Sequence, residues 1–194
     1  SVAPAGGPKP VFGTNPMAFA CPRANHPPLV MDFASAAIAR GELQLHERDG
    51  RPIPDGWGLD PAGQPSRDAK AVLAGAQLPF GGHKGSAIAL MVELLAAGLT
   101  GGNFAFEAST EYRIGKNDGG PSNTGELVIA IDPGRFGDRA RFLERIEHLF
   151  HRLAEQEGVR LPGDRRYAAR ARNPHTGIRL PKHVHDDLLR LLPK

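Results

Sequence analysis

The sequence predicts a mixed α/β fold, and three observations carry that expectation. Short apolar runs at 11–20, 28–33 and 125–131 have the length and composition of strands. Two longer segments, 86–99 and 139–156, have the apolar content of helices, and in the second Phe142, Ile146, Leu149, Phe150 and Leu153 fall on one helical face. The 24 Gly and 18 Pro are scattered, which reads as turns between elements rather than as low complexity.

Taken in order, residues 1–10 are Pro/Gly-rich and polar, and read as a linker or loop; 11–194 read as one folded portion. In the strand at 11–20, Thr14-Asn15-Pro16 marks a turn or bulge, because Pro16 has no N–H to give to a ladder. In 28–33, Leu29, Val30 and Met31 run without a polar break, which predicts burial on both faces. Ser35 is placed to cap a helix running to about residue 47. Asp49-Gly50 is a turn. Residues 51–67 hold four Pro and three Gly, an extended loop of the kind that often carries function. A short helix at 68–73 follows. A Gly-rich loop at 78–85 then feeds the helix 86–99, which is apolar nearly all round and is expected to be central. Residues 100–123 read as irregular, and 125–131 as a buried strand ended by Asp132-Pro133-Gly134. The remainder, 138–194, reads as a helical segment. It opens with the amphipathic helix, stopped by Gly158. It continues through the basic stretch 160–173 and ends in a helix at 181–192 opened by Pro181.

Composition narrows the function. The chain has 194 residues, 40% of them apolar and 23% charged, with a formal net charge of +3. A nucleic-acid binder would show a stronger basic excess interleaved with aromatics, so none is expected as a partner. The one cysteine, Cys21, reads as a small buried apolar residue, and no Cys/His spacing fits a metal site. His148 and His151 read as surface residues. The apolar runs are too short for a bilayer, and residues 1–10 lack the pattern of a signal peptide, so a cytoplasmic protein is expected.

Three segments could carry chemistry. GGHKG at 81–85 opens a helix. Glycines admit close backbone approach, the helix N-terminus favours negative charge, and Lys84 adds a full positive one, with His83 as a further donor or acceptor. Residues alone leave it open between an anion cradle and a plain glycine-rich helix entry with a solvated lysine. In DFASAAIARGE at 32–42, Asp32 could contact a ligand at a strand end or cap the next turn. Arg40 could fork onto a carboxylate or lie on a solvated face. Glu42 could orient a histidine or be a surface carboxylate. In LPGDRRYAARAR at 161–172, adjacent guanidiniums suit a phosphate monoester, or form an exposed basic helix. No GxGxxG follows a strand, so a Rossmann domain has no direct support.

Three stretches, in this order, resemble a known family: FGTNPMAF at 12–19, MDFASAAIARGELQLHERDGRPIPDGWGLDPAGQPSRD at 31–68, and FGGHKGSAIALMVELLA at 80–96. They are similar to the type-2 malate/L-lactate dehydrogenases. RGELQLH, PDGWGLD and LPGDRRYAARAR make the likeness strongest to the Δ1-piperideine-2-carboxylate/Δ1-pyrroline-2-carboxylate reductases of that family. The resemblance implies a non-Rossmann NAD(P)-binding fold, with a mixed sheet and flanking helices, that works as a homodimer.

By motif, the resemblance implies that Asp32, Phe33 and Ala34 line the cofactor, together with His83 and Lys84. Leu161, Pro162, Gly163, Asp164, Arg165, Arg166 and Tyr167 would wrap its adenosine-phosphate end. Arg165 and Arg166 favour NADPH over NADH. Thr14, Arg40 and Gly41 would face the substrate. Glu42 would stand where the family keeps the acidic partner of a catalytic histidine, usually an Asp. That histidine, with its adjacent serine and a substrate-binding arginine, belongs to an N-terminal portion expected to be missing here. A second chain is one way of supplying it.

The implied activity is NADPH-dependent reduction of a cyclic 2-imino acid to L-pipecolate or L-proline. The alternatives are a malate/lactate-type 2-hydroxy acid dehydrogenase, or a non-catalytic dinucleotide-binding fragment that needs a partner chain.

Overall fold

The computed structural model describes residues 1–108 and 123–192. They form two compact units: Ser1–Phe19 with Asp32–Asp132, and Ala20–Met31 with Pro133–Lys194. The expected α/β character is present. Its strands pair as two small two-stranded sheets, with isolated bridges beside them.

In the first unit the chain start is structural. Val2 and Ala3 have no exposed surface, and Val2 bridges Phe12 antiparallel and Gln77 parallel. The first ten residues therefore add core side chains to a stretch expected to be a loop. Strand β1 (Met17–Cys21) pairs with β2 (Leu29–Phe33). The strand expected from residue 11 starts only at Met17, because Asn15 sits at φ 45° and Pro16 has no donor. In β2 only Leu29 is buried, while Asp32 and Phe33 are exposed, so burial on both faces does not occur.

Helix α1 (Arg40–Arg48) begins four residues later than expected. Ser35 does not cap it. Instead Ser35 is fully buried, and both its N–H and its hydroxyl donate to the Thr14 carbonyl. Residues 35–37 are held by main-chain pairing, with Ala36 bridged to Pro79 and Ala37 N donating to Leu78 O at 2.8 Å. A residue committed to that ladder cannot open a helix. Helix α2 (Ala69–Ala74) does have its cap, since the Asp68 carboxylate accepts from Lys70 N at 2.9 Å. Leu43 and His46 of α1 turn inward, and Leu43 packs with Ile53, Ala69 and Val72. The loop between the two helices is ordered by Asp60, whose carboxylate accepts from Ala62 N and Gln64 N, both at 2.9 Å. It also contributes β3 (Gly58–Leu59), antiparallel to β4 (Ala76–Gln77).

Helix α3 (His83–Val92) runs on into a π-helical turn, Glu93–Gly98. It is not central. Gly85, Ala89, Glu93 and Ala97 face inward, whereas Leu94 is 54% and Leu99 69% exposed. An all-apolar sequence does not distinguish its two faces; the small side chains mark the face that packs closely here. Part of the stretch read as irregular, 109–122, lies outside the described residues. Residues 125–131 form no strand, and Val128, Ile129 and Ile131 are 80%, 72% and 68% exposed. Strand propensity is realised only against a neighbouring strand that supplies ladder bonds and cover. Among the described residues none does so for this segment.

The second unit has α4 (Arg139–Ala154), α5 (Asp164–Thr176) and α6 (Lys182–Arg190). Asp138 caps α4, accepting from Ala140 N at 2.7 Å. Phe150 of α4 packs with Cys21, Leu29 and Leu161, flanked by Phe142 and Ile146. Leu149 and Leu153, expected on the same face, are 55% and 37% exposed. The basic stretch expected at 160–173 becomes the exposed helix α5. No helix of the described residues is long and apolar enough to cross a membrane.

Arg23 forks onto Glu147 at 3.0 and 2.7 Å, lies over the Phe150 ring at 4.9 Å, and is joined on Glu147 by Ala24 N. The Arg23 hydrogen bond holds the Glu147 carboxyl below the usual carboxylate range. A lowered folded value means that the pair stabilises above the ordinary carboxylate pKa of about 4.3, and that this contribution is lost as pH falls through the lower folded value. Glu147→Gln should therefore cost about 1 kcal/mol at neutral pH, measured by urea unfolding. The difference from the unsubstituted chain should shrink below about pH 4; a difference independent of pH would contradict the pairing. Burial, reinforced by Glu147, pushes the Cys21 thiol up. Alkylation of Cys21 at neutral pH should accordingly be much slower in the folded chain than in urea, as read by mass spectrometry.

Candidate functional site

Three stretches distant in sequence meet in the first unit. The Thr14 carbonyl accepts from Ser35 N at 2.8 Å and from Ser35 Oγ at 3.0 Å. The Ser35 carbonyl accepts in turn from Phe80 N at 2.9 Å. The rings of Phe33 and Phe80 meet edge to face with centroids 6.0 Å apart. FGTNP, DFAS and the FGGHKG loop are thereby tied side by side through main-chain bonds. Among the residues singled out from sequence, Thr14 is half-buried, Asp32 and Phe33 are exposed at the end of β2, and Ala34 is half-buried beside them.

The GGHKG loop has the form its residues suggest. Gly81 and Gly82 both have positive φ, 56° and 61°, and a Cβ on either would meet nothing within 4 Å. This leaves open space on that side of the turn. His83 and Lys84 occupy the first turn of α3 and are exposed. The Lys84, Gly85 and Ser86 N–H groups bond the Gly81, Phe80 and Gly82 carbonyls, so what this turn offers an anionic group is the two unobstructed glycines, the positive end of α3 and the exposed Lys84. The turn is locked at Gly85, where a Cβ would lie 2.1 Å from the Phe80 carbonyl oxygen.

Arg40, Gly41 and Glu42 form the first turn of α1, where Arg40 and Gly41 are exposed and Glu42 half-buried. Glu42 has a partner that sequence reading missed. His46, one turn on and 8% exposed, places Nε2 3.6 Å from a Glu42 oxygen. His46 Nδ1 lies 3.0 Å from the Pro52 carbonyl, which can only accept, so Nδ1 carries the proton there. The i,i+4 spacing of Glu42 and His46 was the available signal. Ser35 and Asn15 were also missed as the ties of the FGTNP loop. Polar residues that become fully buried through main-chain bonds leave no pattern in sequence.

In the second unit, Leu161–Tyr167 wraps the start of α5. Gly163 has φ 95°, the Asp164 carboxylate accepts from Leu161 N at 2.9 Å, and the Tyr167 hydroxyl donates to the Pro28 carbonyl at 2.8 Å. Asp164 and Tyr167 thus hold the loop. An open cleft of about 530 Å³ lies against it, walled by Gly158, Arg160, Gly163, Arg165 and Arg166. Two adjacent exposed guanidiniums at its edge suit a doubly charged phosphate.

Gly85→Ala should lower stability by about 1–3 kcal/mol through overpacking against Phe80, as measured by thermal unfolding. Gly81→Ala, with open space beside it, should cost about 1 kcal/mol, from backbone strain alone. Equal effects of the two would contradict the tight helix entry.

The chain resembles known proteins along nearly its whole length. The family model for malate/L-lactate dehydrogenase matches residues 1–189. A Δ1-pyrroline-2-carboxylate/Δ1-piperideine-2-carboxylate reductase of Pseudomonas aeruginosa is 52% identical over 98% of this chain and 57% of its own length. A (2R)-3-sulfolactate dehydrogenase (NADP(+)) of Chromohalobacter salexigens is 47% identical over 97% of this chain and 55% of its own. The crystal structure of Δ1-piperideine-2-carboxylate reductase from Pseudomonas syringae superposes with a TM-score of 0.85 at 48% identity, covering 98% of this chain and 57% of that one. The 194 residues therefore span little more than half the length of these relatives. The chain belongs to the malate/L-lactate dehydrogenase family.

Proposed function

We propose that these residues form the cofactor-holding and substrate-facing portion of an NADPH-dependent reductase of cyclic 2-imino acids. Δ1-Piperideine-2-carboxylate and Δ1-pyrroline-2-carboxylate are the substrates, and L-pipecolate and L-proline the products. The observation that carries this reading is the tie through Ser35, which gathers the Thr14, Asp32–Ala34 and His83–Lys84 segments in one unit. The 52% identity to a reductase of both imino acids supports it.

NADPH, when bound, supplies the hydride. The chain's own residues bind and orient. Lys84, His83 and the positive end of α3 face one charged end of the dinucleotide, with Asp32–Ala34 along it. Arg165 and Arg166 bind the 2′-phosphate, a choice of NADPH over NADH that the name of the NADP(+)-linked relative supports. Thr14, Arg40 and Gly41 hold the substrate carboxylate and the adjoining planar C=N; holding the reactants in line is the main source of rate in such a site. Glu42 orients a histidine, and that proton donor comes from polypeptide outside these 194 residues, either the N-terminal portion of the family's sequence or a second chain; the assembly is a homodimer. The 47% identity to a sulfolactate dehydrogenase favours a second reading, in which the substrate carries C=O and the product is a 2-hydroxy acid.

Oxidation of NADPH with Δ1-piperideine-2-carboxylate, followed by loss of nicotinamide absorbance with and without the remaining portion of the relatives' sequence, tests the reading. Activity is expected only when that portion is present. Turnover by the 194 residues alone would contradict the outside proton donor. Arg165→Ala and Arg166→Ala should each weaken NADPH binding about tenfold and leave NADH binding nearly unchanged, as measured by nicotinamide fluorescence. Equal losses for both cofactors would remove the 2′-phosphate assignment.

A further inference from the structure

Glu93 is a carboxylate on a face otherwise built from Gly85, Ala89 and Ala97, and it is 8% exposed. Burying a charged group against small apolar neighbours is unfavourable unless every oxygen is answered. Here each is. Oε1 accepts from Asn15 Nδ2 at 2.9 Å and Gly13 N at 3.4 Å, and Oε2 accepts from Ala105 N at 3.1 Å. Asn15 also donates to the Ala89 carbonyl at 2.8 Å, and it holds φ 45°, rare for a residue with a side chain. A Cβ on Gly13 would meet Asn15 Oδ1 at 2.7 Å, so the loop closes tightly on itself. The carboxylate sits at the start of the π-helical turn, an irregularity that is frequent at functional sites.

The residue between the two that Glu93 holds is Thr14. Its neighbours on both sides are fixed by one carboxylate, and its own carbonyl is fixed by Ser35 N and Oγ. We propose that Glu93 is a positioning residue: through Gly13 and Asn15 it sets where Thr14 presents itself to the carboxylate-bearing substrate. This rests on the reading that Thr14 faces the substrate. Three N–H groups converge on Glu93, so only a side chain with two accepting oxygens fits. An amide would turn a donor toward at least one of them.

The test uses the chain supplied with the remaining portion of the relatives' sequence, to which NADP+ and pyrrole-2-carboxylate, a planar analogue of the imino acid, are titrated by calorimetry. NADPH affinity and melting temperature are measured in parallel. Glu93→Gln should weaken pyrrole-2-carboxylate binding about tenfold, as expected for one lost charge-assisted hydrogen bond, with NADPH affinity within about twofold. Asn15→Gly keeps the positive φ and removes the amide that donates to Glu93, and should weaken the same ligand by about threefold with NADPH affinity within about twofold. Where the Glu93→Gln chain does not fold, Asn15→Gly decides alone. Parallel loss of both ligands, or loss of neither, would make the network a stability element and overturn the proposal. If the unsubstituted chain binds NADPH but no pyrrole-2-carboxylate, the imino-acid reading falls, and this inference with it.

Discussion

The arrangement of the first unit depends on one buried serine. Ser35 spends its N–H, its hydroxyl and its carbonyl on two other stretches, Thr14 on one side and Phe80 on the other. Main-chain hydrogen bonds in a fully buried place are costly to leave unmade, so the three stretches can be displaced only together. Every residue of that unit to which a ligand role is assigned lies on one of these stretches or on the helix that follows DFAS. Position at the site is thus a consequence of backbone pairing, with side chains added onto it.

A second constraint is close approach. Gly85 and Ala89 let α3 lie against Phe80 and Ala36, and a methyl group at residue 85 has no room. The helix start, where the Lys84, Gly85 and Ser86 N–H groups bond the Gly81, Phe80 and Gly82 carbonyls, is thereby fixed beside the two open glycines of the turn. The opposite face of the same helix, and residues 127–131, expose large aliphatic side chains. In relatives nearly twice as long, further polypeptide is available to such surfaces.

Local signals in the sequence located most elements. Asp68, Pro181 and the spacing of Phe142, Ile146 and Phe150 mark helices that form where those residues direct. Gly81 and Gly82 of GGHKG and Gly163 of LPG occupy the positive-φ turns their composition suggests. What failed was whatever depends on distant partners. Ser35 has the residue type of a cap but is taken by Thr14. The run at 125–131 has strand composition but no neighbour among the described residues. The helix at α3 reads as apolar all round, and only packing decides which side is covered. The same holds for the site. The glycine-rich turn and the arginine pair are visible as motifs, whereas Asn15, His46 and Glu93 acquire meaning only from contacts 78, 6 and 12 residues away.

We propose that two stretches, the glycine-backed His83–Lys84 turn of the first unit and the Arg165–Arg166 loop of the second, each contact NADPH. Hydrogen–deuterium exchange of the chain with and without NADPH tests it most directly, because it reads both places in one measurement. Slowed exchange at residues 81–85 and at 161–167, with little change in α4 and α6, is expected. Binding of NADPH that protects neither segment would contradict it.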